Sequence, residues 1–213
     1  MLESLKSEVC ELNRRLPAEG LVRLTSGNVS GRDPDTNRMV IKPSGVPFDE
    51  LTPDLMIVFD LDGTIVEGTL KPSSDAYTHL VVYREMAEVH GMVHTHSNYA
   101  TAWAAVGRPL PCALTAMCDA FGCDIPIGGF CLIGNEQIGR EIVRSIGRAP
   151  AILMRNHGVF TIGKTPHKAF VHAVTVEDTA KTLAIAEGLG TIQPIAPDKI
   201  EQAHRRYQSE YGQ

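Results

Sequence analysis

Nothing in this 213-residue chain is strongly basic for more than a residue or two, and nothing is apolar for long. The missing basic run, together with a net charge of −5, excludes a general nucleic-acid binder. No apolar segment approaches the roughly 20 residues of a membrane span. The opening MLESLKSEVCELNRRL mixes acidic with basic residues, as an amphipathic helix does and a secretory leader does not. Repeats, low-complexity tracts and linkers are absent as well. CxxC spacing is also missing. The five cysteines (Cys10, Cys112, Cys118, Cys123 and Cys131) are odd in number, which points to reduced thiols and a cytoplasmic location. A hydrophobic content of 43% against 21% charged residues suits a soluble globular protein. The length suits one domain, expected to span residues 1–213.

The pattern along the chain is α/β. After the first helix come short strand-like pieces, LVRLTSGNVSGRD, RMVIKPSG, LMIVFD and GTIVEG, separated by Gly, Pro and Asp turns. SDAYTHLVVYREMAEV reads as a helix, followed by a strand around Met92 and Val93 and a helix over residues 97–106 opened by Ser97 or Asn98. A short strand near Ile125, a helix over about residues 135–146 and two strands, AILMR and GVFTIG, come next. A long helix then begins with Thr165 as its cap and Pro166 at its first position, and ends at Gly188 or Gly190. A final helix covers about residues 197–207. Strands and helices at irregular intervals predict a mixed sheet in a layered α/β fold, not a doubly wound one.

GMVHTHSNYA, residues 91–100, carries the first chemical signal. Side chains two apart on a strand share a face. His94 and His96 therefore either bite one metal ion at the end of a strand or divide into one buried and one solvated ring. A zinc ion with two histidines needs one or two further ligands. His157, in MRNHGVFTIG, lies between two strand-like runs beside Gly158, where the backbone can turn and present the ring. Asp75 starts a helix, as a further ligand or simply as a first-turn acid. His79, His90, His167, His172 and His204 are expected to be structural or solvated.

Asp60-Leu61-Asp62-Gly63-Thr64 resembles the nucleophile loop of haloacid-dehalogenase phosphatases. It joins two strand-like runs through Asp-Gly, a favoured hairpin turn, and a hairpin is expected there. TSGNVSGR (residues 25–32), KPSG (42–45) and KPSSD (71–75) are small, hydroxyl-rich and marked by Gly or Pro. Loops of that kind expose N–H groups to an oxyanion, and Ser73 and Ser74 immediately precede a helix N-terminus. With a metal site, they point to a phosphorylated small molecule.

GNVS, KPSG, EGTLKPSSD, VHTHS and NHG, in this order and spacing, resemble the class II aldolase/adducin family along nearly the whole chain. The resemblance implies a central mixed, largely antiparallel sheet flanked by helices. It also implies a homotetramer of C4 symmetry with active sites between subunits. It implies Zn²⁺, with Mn²⁺ or Co²⁺ as other candidates, on His94, His96 and His157, with Asp75 ligating or acting beside the ion. Gly27, Asn28, Ser44, Gly45, Ser73 and Ser74 fall on the family's substrate- and phosphate-binding positions.

Within the family, VIKPSGV, VEGTLKPSSD and the ending YGQ are most similar to the sugar-phosphate 4-epimerases. The activity this implies is conversion of L-ribulose 5-phosphate to D-xylulose 5-phosphate by retro-aldol cleavage and re-addition across C3–C4. Asp119 and Tyr211, the latter from a neighbouring subunit's tail, are the implied acid/base groups. The alternative is an L-fuculose-1-phosphate-type aldolase. That branch carries glutamate at the position of Asp75 and tyrosine at that of Thr115, whereas the stretch from Pro126 to His157 is more aldolase-like. The adducin branch, a cytoskeletal binding module, lacks the three histidines that this chain has.

Overall fold

The computed structural model describes residues 2–211, and the side chain of Tyr211 lies outside the described residues. In chain order the elements are α1 (Glu3–Arg15), β1 (Asn28–Asp33), β2 (Arg38–Ile41), β3 (Ile57–Phe59), β4 (Ile65–Glu67), α2 (Ala76–Glu85) and β5 (Gly91–Thr95). They continue as α3 (Asn98–Ala105), α4 (Thr115–Phe121), β6 (Ile127–Gly128), α5 (Gln137–Ser145), β7 (Ala151–Met154), β8 (Gly158–Gly163), α6 (Pro166–Leu189) and α7 (Pro197–Arg206). The strands form one eight-stranded sheet in the order β4-β3-β2-β1-β5-β8-β7-β6. Only the short β6–β7 pair is parallel, so the sheet is mixed and largely antiparallel.

Period-two alternation of apolar residues builds a layer on each face of this sheet. Met39, Ile41, Ile57, Phe59 and Met92 face one way, beneath α2 and α5, in a core that includes Leu80, Tyr83, Ile138 and Ile142. Val29, Val40, Val58 and Val93 face the other way, beneath α1 and α6, with Val9, Leu12, Phe170 and Ala173. A third cluster joins α3, α4, α6 and α7 around Trp103, Met117, Val176 and Ile200. Asn13 pins α1 to the sheet: its Oδ1 accepts from the Val29 amide at 2.9 Å, and its Nδ2 donates to the Val29 carbonyl at 3.0 Å.

Several local expectations hold. Thr165 Oγ1 accepts from the Lys168 amide at 3.0 Å, Pro166 is the first helical residue, and Gly190 ends α6. Asp60 closes a turn between β3 and β4, its Oδ1 accepting from the Thr64 amide at 2.8 Å, so the Asp-Leu-Asp-Gly-Thr segment is a hairpin. Other details differ. The strand-like piece that opens at Leu21 forms a strand only from Asn28 onward. The strand expected near Ile125 is a single bridge to Leu110, with β6 two residues later. Ser97 makes no side-chain cap on α3. The Glu177 carboxylate of α6 accepts instead from the Tyr99 and Ala100 amides, at 3.0 and 2.9 Å. Among the described residues no helix is long and apolar enough to cross a membrane.

Candidate metal centre and active site

His94 lies on β5 opposite Asn28 of β1 and Phe160 of β8. Its ring stacks on Phe160 with centroids 4.1 Å apart. His94 Nδ1–H donates to the Val159 carbonyl at 2.9 Å, which leaves Nε2 as a bare lone pair. That nitrogen lies 2.9 Å from His96 Nε2. His157 joins them from the turn between β7 and β8, where Asn156 takes φ 57°, a left-handed conformation that asparagine tolerates better than most residues. The ligand atoms of His94, His96 and His157 all lie within 4.8 Å of one another. Bonds of about 2.0–2.1 Å to a tetrahedral ion place its donors roughly 3.4 Å apart, so the spread suits one divalent ion.

The electrostatics agree with that fit. Burial is the first cause holding all three imidazoles below their ordinary pKa, most strongly for His94. The neighbouring rings add to this at His94 and His157, while the Asp75 charge opposes it at His96 and His157. Neutral imidazoles with converging lone pairs are the form that a divalent metal takes.

Gly158 lets the three rings meet. A Cβ there would run into the Thr95 carbonyl, lie 2.8 Å from His96 Cδ2 and lie 3.3 Å from His94 Cε1. Gly158→Ala is therefore expected to push the His96 ring aside and weaken divalent-metal binding by roughly 10–100-fold, the range seen when support of a ligand is lost. Titration with Co²⁺ beside a circular dichroism spectrum measures this. Unchanged affinity in a folded variant would show that the close approach does not matter.

The anion side of the cavity comes from two loops of similar sequence. Lys42-Pro43-Ser44 and Lys71-Pro72-Ser73 run antiparallel to one another through a Pro43–Pro72 bridge. The Ser44 amide donates to the Lys71 carbonyl at 2.8 Å, and the Ser73 amide donates to the Lys42 carbonyl at 3.1 Å. The two loops, Gly27 and the three histidines line a single cavity of about 320 Å³. Gly27 has φ 81°, and a Cβ there would lie 2.8 Å from the His94 carbonyl, so neither its turn nor its packing admits a side chain.

Asp75 occupies the N-cap position of α2 at the edge of this cavity without a side-chain capping bond. Its Oδ2 accepts from Asn28 Nδ2 at 2.7 Å, and Asn28 Nδ2 also reaches Ser73 Oγ at 3.1 Å. The converging donor set contains the three histidines without Asp75, which stands beside it. Gly27, Asn28, Ser73 and Asp75 are buried, whereas Ser44, Gly45 and Ser74 are exposed.

Among the described residues, two expected site residues, Asn28 and Asp119, are not in the cavity lining. Asp119 sits on α4, half-buried, its carbonyl accepting from His204 Nδ1 at 3.0 Å. That bond makes the half-buried His204 a structural residue, one of the two roles expected of it. The Tyr211 side chain falls outside the described residues.

Lys42 is a cavity residue that sequence reasoning missed. Its Nζ is buried in the cavity wall, donates to the Thr25 and Pro43 carbonyls at 3.2 Å each, and sits 5.1 Å from the Phe48 ring centroid. Burial pulls its pKa down to about 8 against the opposing pull of Asp75, so it remains largely cationic at neutral pH. The available signal was the lysine heading both Pro-Ser loops.

A family model described as Class II Aldolase and Adducin N-terminal domain matches residues 7–184. The chain belongs to that family. The L-ribulose-5-phosphate 4-epimerase UlaF of Salmonella paratyphi C (strain RKS4594) is 39% identical over 208 residues, covering 91% of this chain and 90% of that protein. A solved L-fuculose 1-phosphate aldolase superposes with a TM-score of 0.92 at 27% identity, over 96% of each chain. The L-fuculose-1-phosphate aldolase of Thermus thermophilus gives a TM-score of 0.74 at 26% identity, over 90% of this chain and 98% of that one. Class II aldolases are metal-dependent, and among the described residues of this member the converging histidines form a set that could hold an ion.

Proposed function

We propose that the protein is a metal-dependent sugar-phosphate 4-epimerase converting L-ribulose 5-phosphate to D-xylulose 5-phosphate by breaking and remaking the C3–C4 bond. The observation that carries this is the meeting of the three-histidine set and the paired Lys-Pro-Ser loops in one cavity. A phosphorylated ketose offers both halves of that arrangement a partner: oxygens for a cation and a phosphate for the loops. Identity of 39% to an epimerase, against 27% to an aldolase, supports epimerisation over aldol cleavage with release. The proposed ion is Zn²⁺, with Mn²⁺ and Co²⁺ as substitutes that the donor set also accepts. It would be held by His94, His96 and His157, with Asp75 as ligand or close neighbour. Bound there, the cation supplies Lewis-acid stabilisation of the negative charge that cleavage leaves on the substrate.

The chain's own groups orient the substrate and move its protons. Lys42 offers a cation, and Ser44, Ser73 and Ser74 offer hydroxyls, to a phosphate at the N-terminus of α2, with Gly27 and Gly45 allowing close approach. Asn28, donating to Asp75, fixes the carboxylate beside the histidines. Inverting C4 requires a proton to leave the hydroxyl on one side and return from the other, hence two groups on opposite faces. Asp119 and Tyr211 are assigned that pair.

Asp119 would serve the cavity of another copy. Its neighbours Ala120 and Phe121 border a larger groove, about 600 Å³, with Val89, Ile162 and Gly163, where β5 begins and β8 ends. The histidines lie at the other end of the same strands. A head-to-tail contact of that kind closes into a ring, here a C4 tetramer. Phe130, Leu132 and Ile133 are exposed in the loop before α5, and Ile133 lines the cavity, so apolar surface is on hand for such a contact.

The deciding assay gives the metal-loaded protein L-ribulose 5-phosphate and follows D-xylulose 5-phosphate and free glycolaldehyde phosphate together. Epimer without released aldehyde supports the proposal, and aldehyde without epimer makes the protein an aldolase. Asp119→Asn should slow epimerisation by about 10²–10⁴-fold, the usual worth of a positioned acid or base. Refolding an equal mixture of Asp119→Asn and His96→Ala chains should restore about a quarter of the sites in a head-to-tail ring. No recovery would place each site within a single chain.

A further inference from the structure

Beneath the cavity runs a buried polar stripe of which the chemistry above uses only the first rung, Asn28 with Asp75. On β1, Asn28, Ser30 and Arg32 point to one face, and on α2, Asp75, His79 and Tyr83 recur every fourth residue along the stripe facing it. The rungs connect. Asn28 bonds Asp75 at 2.7 Å, Ser30 Oγ lies 2.6 Å from His79 Nδ1 and 2.7 Å from the Tyr83 hydroxyl, and Arg32 Nη1 donates to the Tyr83 carbonyl at 2.6 Å. His79, Ser30 and Tyr83 are fully buried in the apolar layer under α2.

The direction of these hydrogen bonds follows from counting hydrogens. Burial pushes the Tyr83 phenol up, so it keeps its proton, and its hydroxyl has Ser30 as a partner. If the phenol donates to Ser30, the Ser30 hydroxyl donates onward to His79 Nδ1. A neutral His79 then carries its proton on Nε2. The reverse order strands both the phenol hydrogen and the Nε2 lone pair, a worse result for buried groups. Burial lowers the His79 pKa to about 3, partly offset by Asp75, so the ring is neutral at working pH. Two atoms of the stripe remain unpartnered: His79 Nε2, a donor, and Asn28 Oδ1, an acceptor one rung nearer the cavity. Asp75 and His94 are the charged or titratable neighbours that His79 feels.

We infer that His79 is a positioning residue, its Nε2–H fixed by Ser30 and Tyr83 and holding the Asn28–Asp75 pair, through a bridging water, in the orientation that the cavity requires. This rests on Asp75 being a working group of that cavity. It predicts a tautomer, a rescue pattern and a coupling.

The test combines ring spectroscopy with kinetics on the metal-loaded protein. In ¹⁵N-histidine spectra the His79 signal, identified by its loss in His79→Asn, should show a protonated Nε2 and an accepting Nδ1, unchanged across about pH 5.5 to 8. A protonated Nδ1 would overturn the inference whatever the substrate proves to be. His79→Asn should lower kcat for L-ribulose 5-phosphate about 10–100-fold with little change in KM, as loss of second-layer support does. His79→Gln, whose amide reaches the Nε2 position, should recover part of that loss. Adding Asp75→Asn to His79→Asn should cost no more than Asp75→Asn alone, because one acts through the other. Full additivity, or full activity in His79→Asn, sinks the role of His79. A fully active Asp75→Asn sinks the reading of Asp75 instead. If His79→Asn does not fold, Ser30→Ala removes only a hydroxyl. It should lower kcat severalfold and alter the His79 ring signals, and an unaltered ring with full activity would overturn the inference.

Discussion

His96→Ala should purify without bound divalent metal and with activity reduced on the order of a thousandfold or more, since a bound cation is worth several kcal/mol to the developing charge. Its fold should be intact. His96 lies just beyond the end of β5, half-buried, and its removal relieves the crowding of three neutral imidazoles. His94→Ala should lose metal and activity in the same way and also lose stability. Its ring is fully buried, stacks on Phe160 and bonds the Val159 carbonyl, so truncation leaves a void and an unpaired acceptor. A void of that kind costs roughly 3 kcal/mol. Metal analysis and chelator-treated thermal melts separate the two substitutions. Stoichiometric metal and undiminished turnover in His96→Ala would remove the metal centre from the mechanism.

The convergence of the three histidines was open to reading because local geometry governs it. Two residues apart on a strand means one face, and an Asn-His-Gly turn between two strands presents a ring at the same end of the sheet. The α/β class and the mixed sheet were readable too, since strands and helices follow one another at irregular intervals along the chain. What escaped depends on partners distant in the chain. The pairing of the two Lys-Pro-Ser loops rests on the Pro43–Pro72 bridge, and the burial of Lys42 rests on the distant Thr25 carbonyl and Phe48 ring. The start of α3 is satisfied by Glu177, far along the sequence, and Ser97 gives no hint of this. The helix α4 was passed over because it is seven residues long and Leu114 offers no capping side chain. Its one signal was Gly122, left-handed at φ 64°, closing the helix end. His79 looked like an ordinary structural histidine from sequence. Its orphan Nε2 became visible only once Ser30 and Tyr83 were placed.

Acid should destabilise the chelator-treated protein well before its carboxylates are protonated. His79 and His172 are both buried, and burial is the first cause lowering them to about 3 and about 4. For His172 the Ile162 carbonyl bond opposes the shift and Lys168 adds to it. Unfolded, each imidazole takes a proton near pH 6.5. Below that value the unfolded chain binds more protons than the folded one, so stability is fully present above it and is lost as pH falls toward the folded pKa values. Each group contributes a slope of about 1.4 kcal/mol per pH unit, and the pair should remove about 4 kcal/mol between roughly pH 7.5 and 5. That is a large part of the 5–15 kcal/mol typical of a folded protein. His94, held well below its ordinary value by burial and its two neighbouring rings, steepens the loss. Urea unfolding at a series of pH values measures the slope directly. His172→Gln keeps a donor for the Ile162 carbonyl but cannot titrate, so it should flatten the curve by about one group's share. A wild-type stability unchanged across that range would mean that these rings do not stay neutral in the folded protein, and the donor direction assigned to His79 would fall with them.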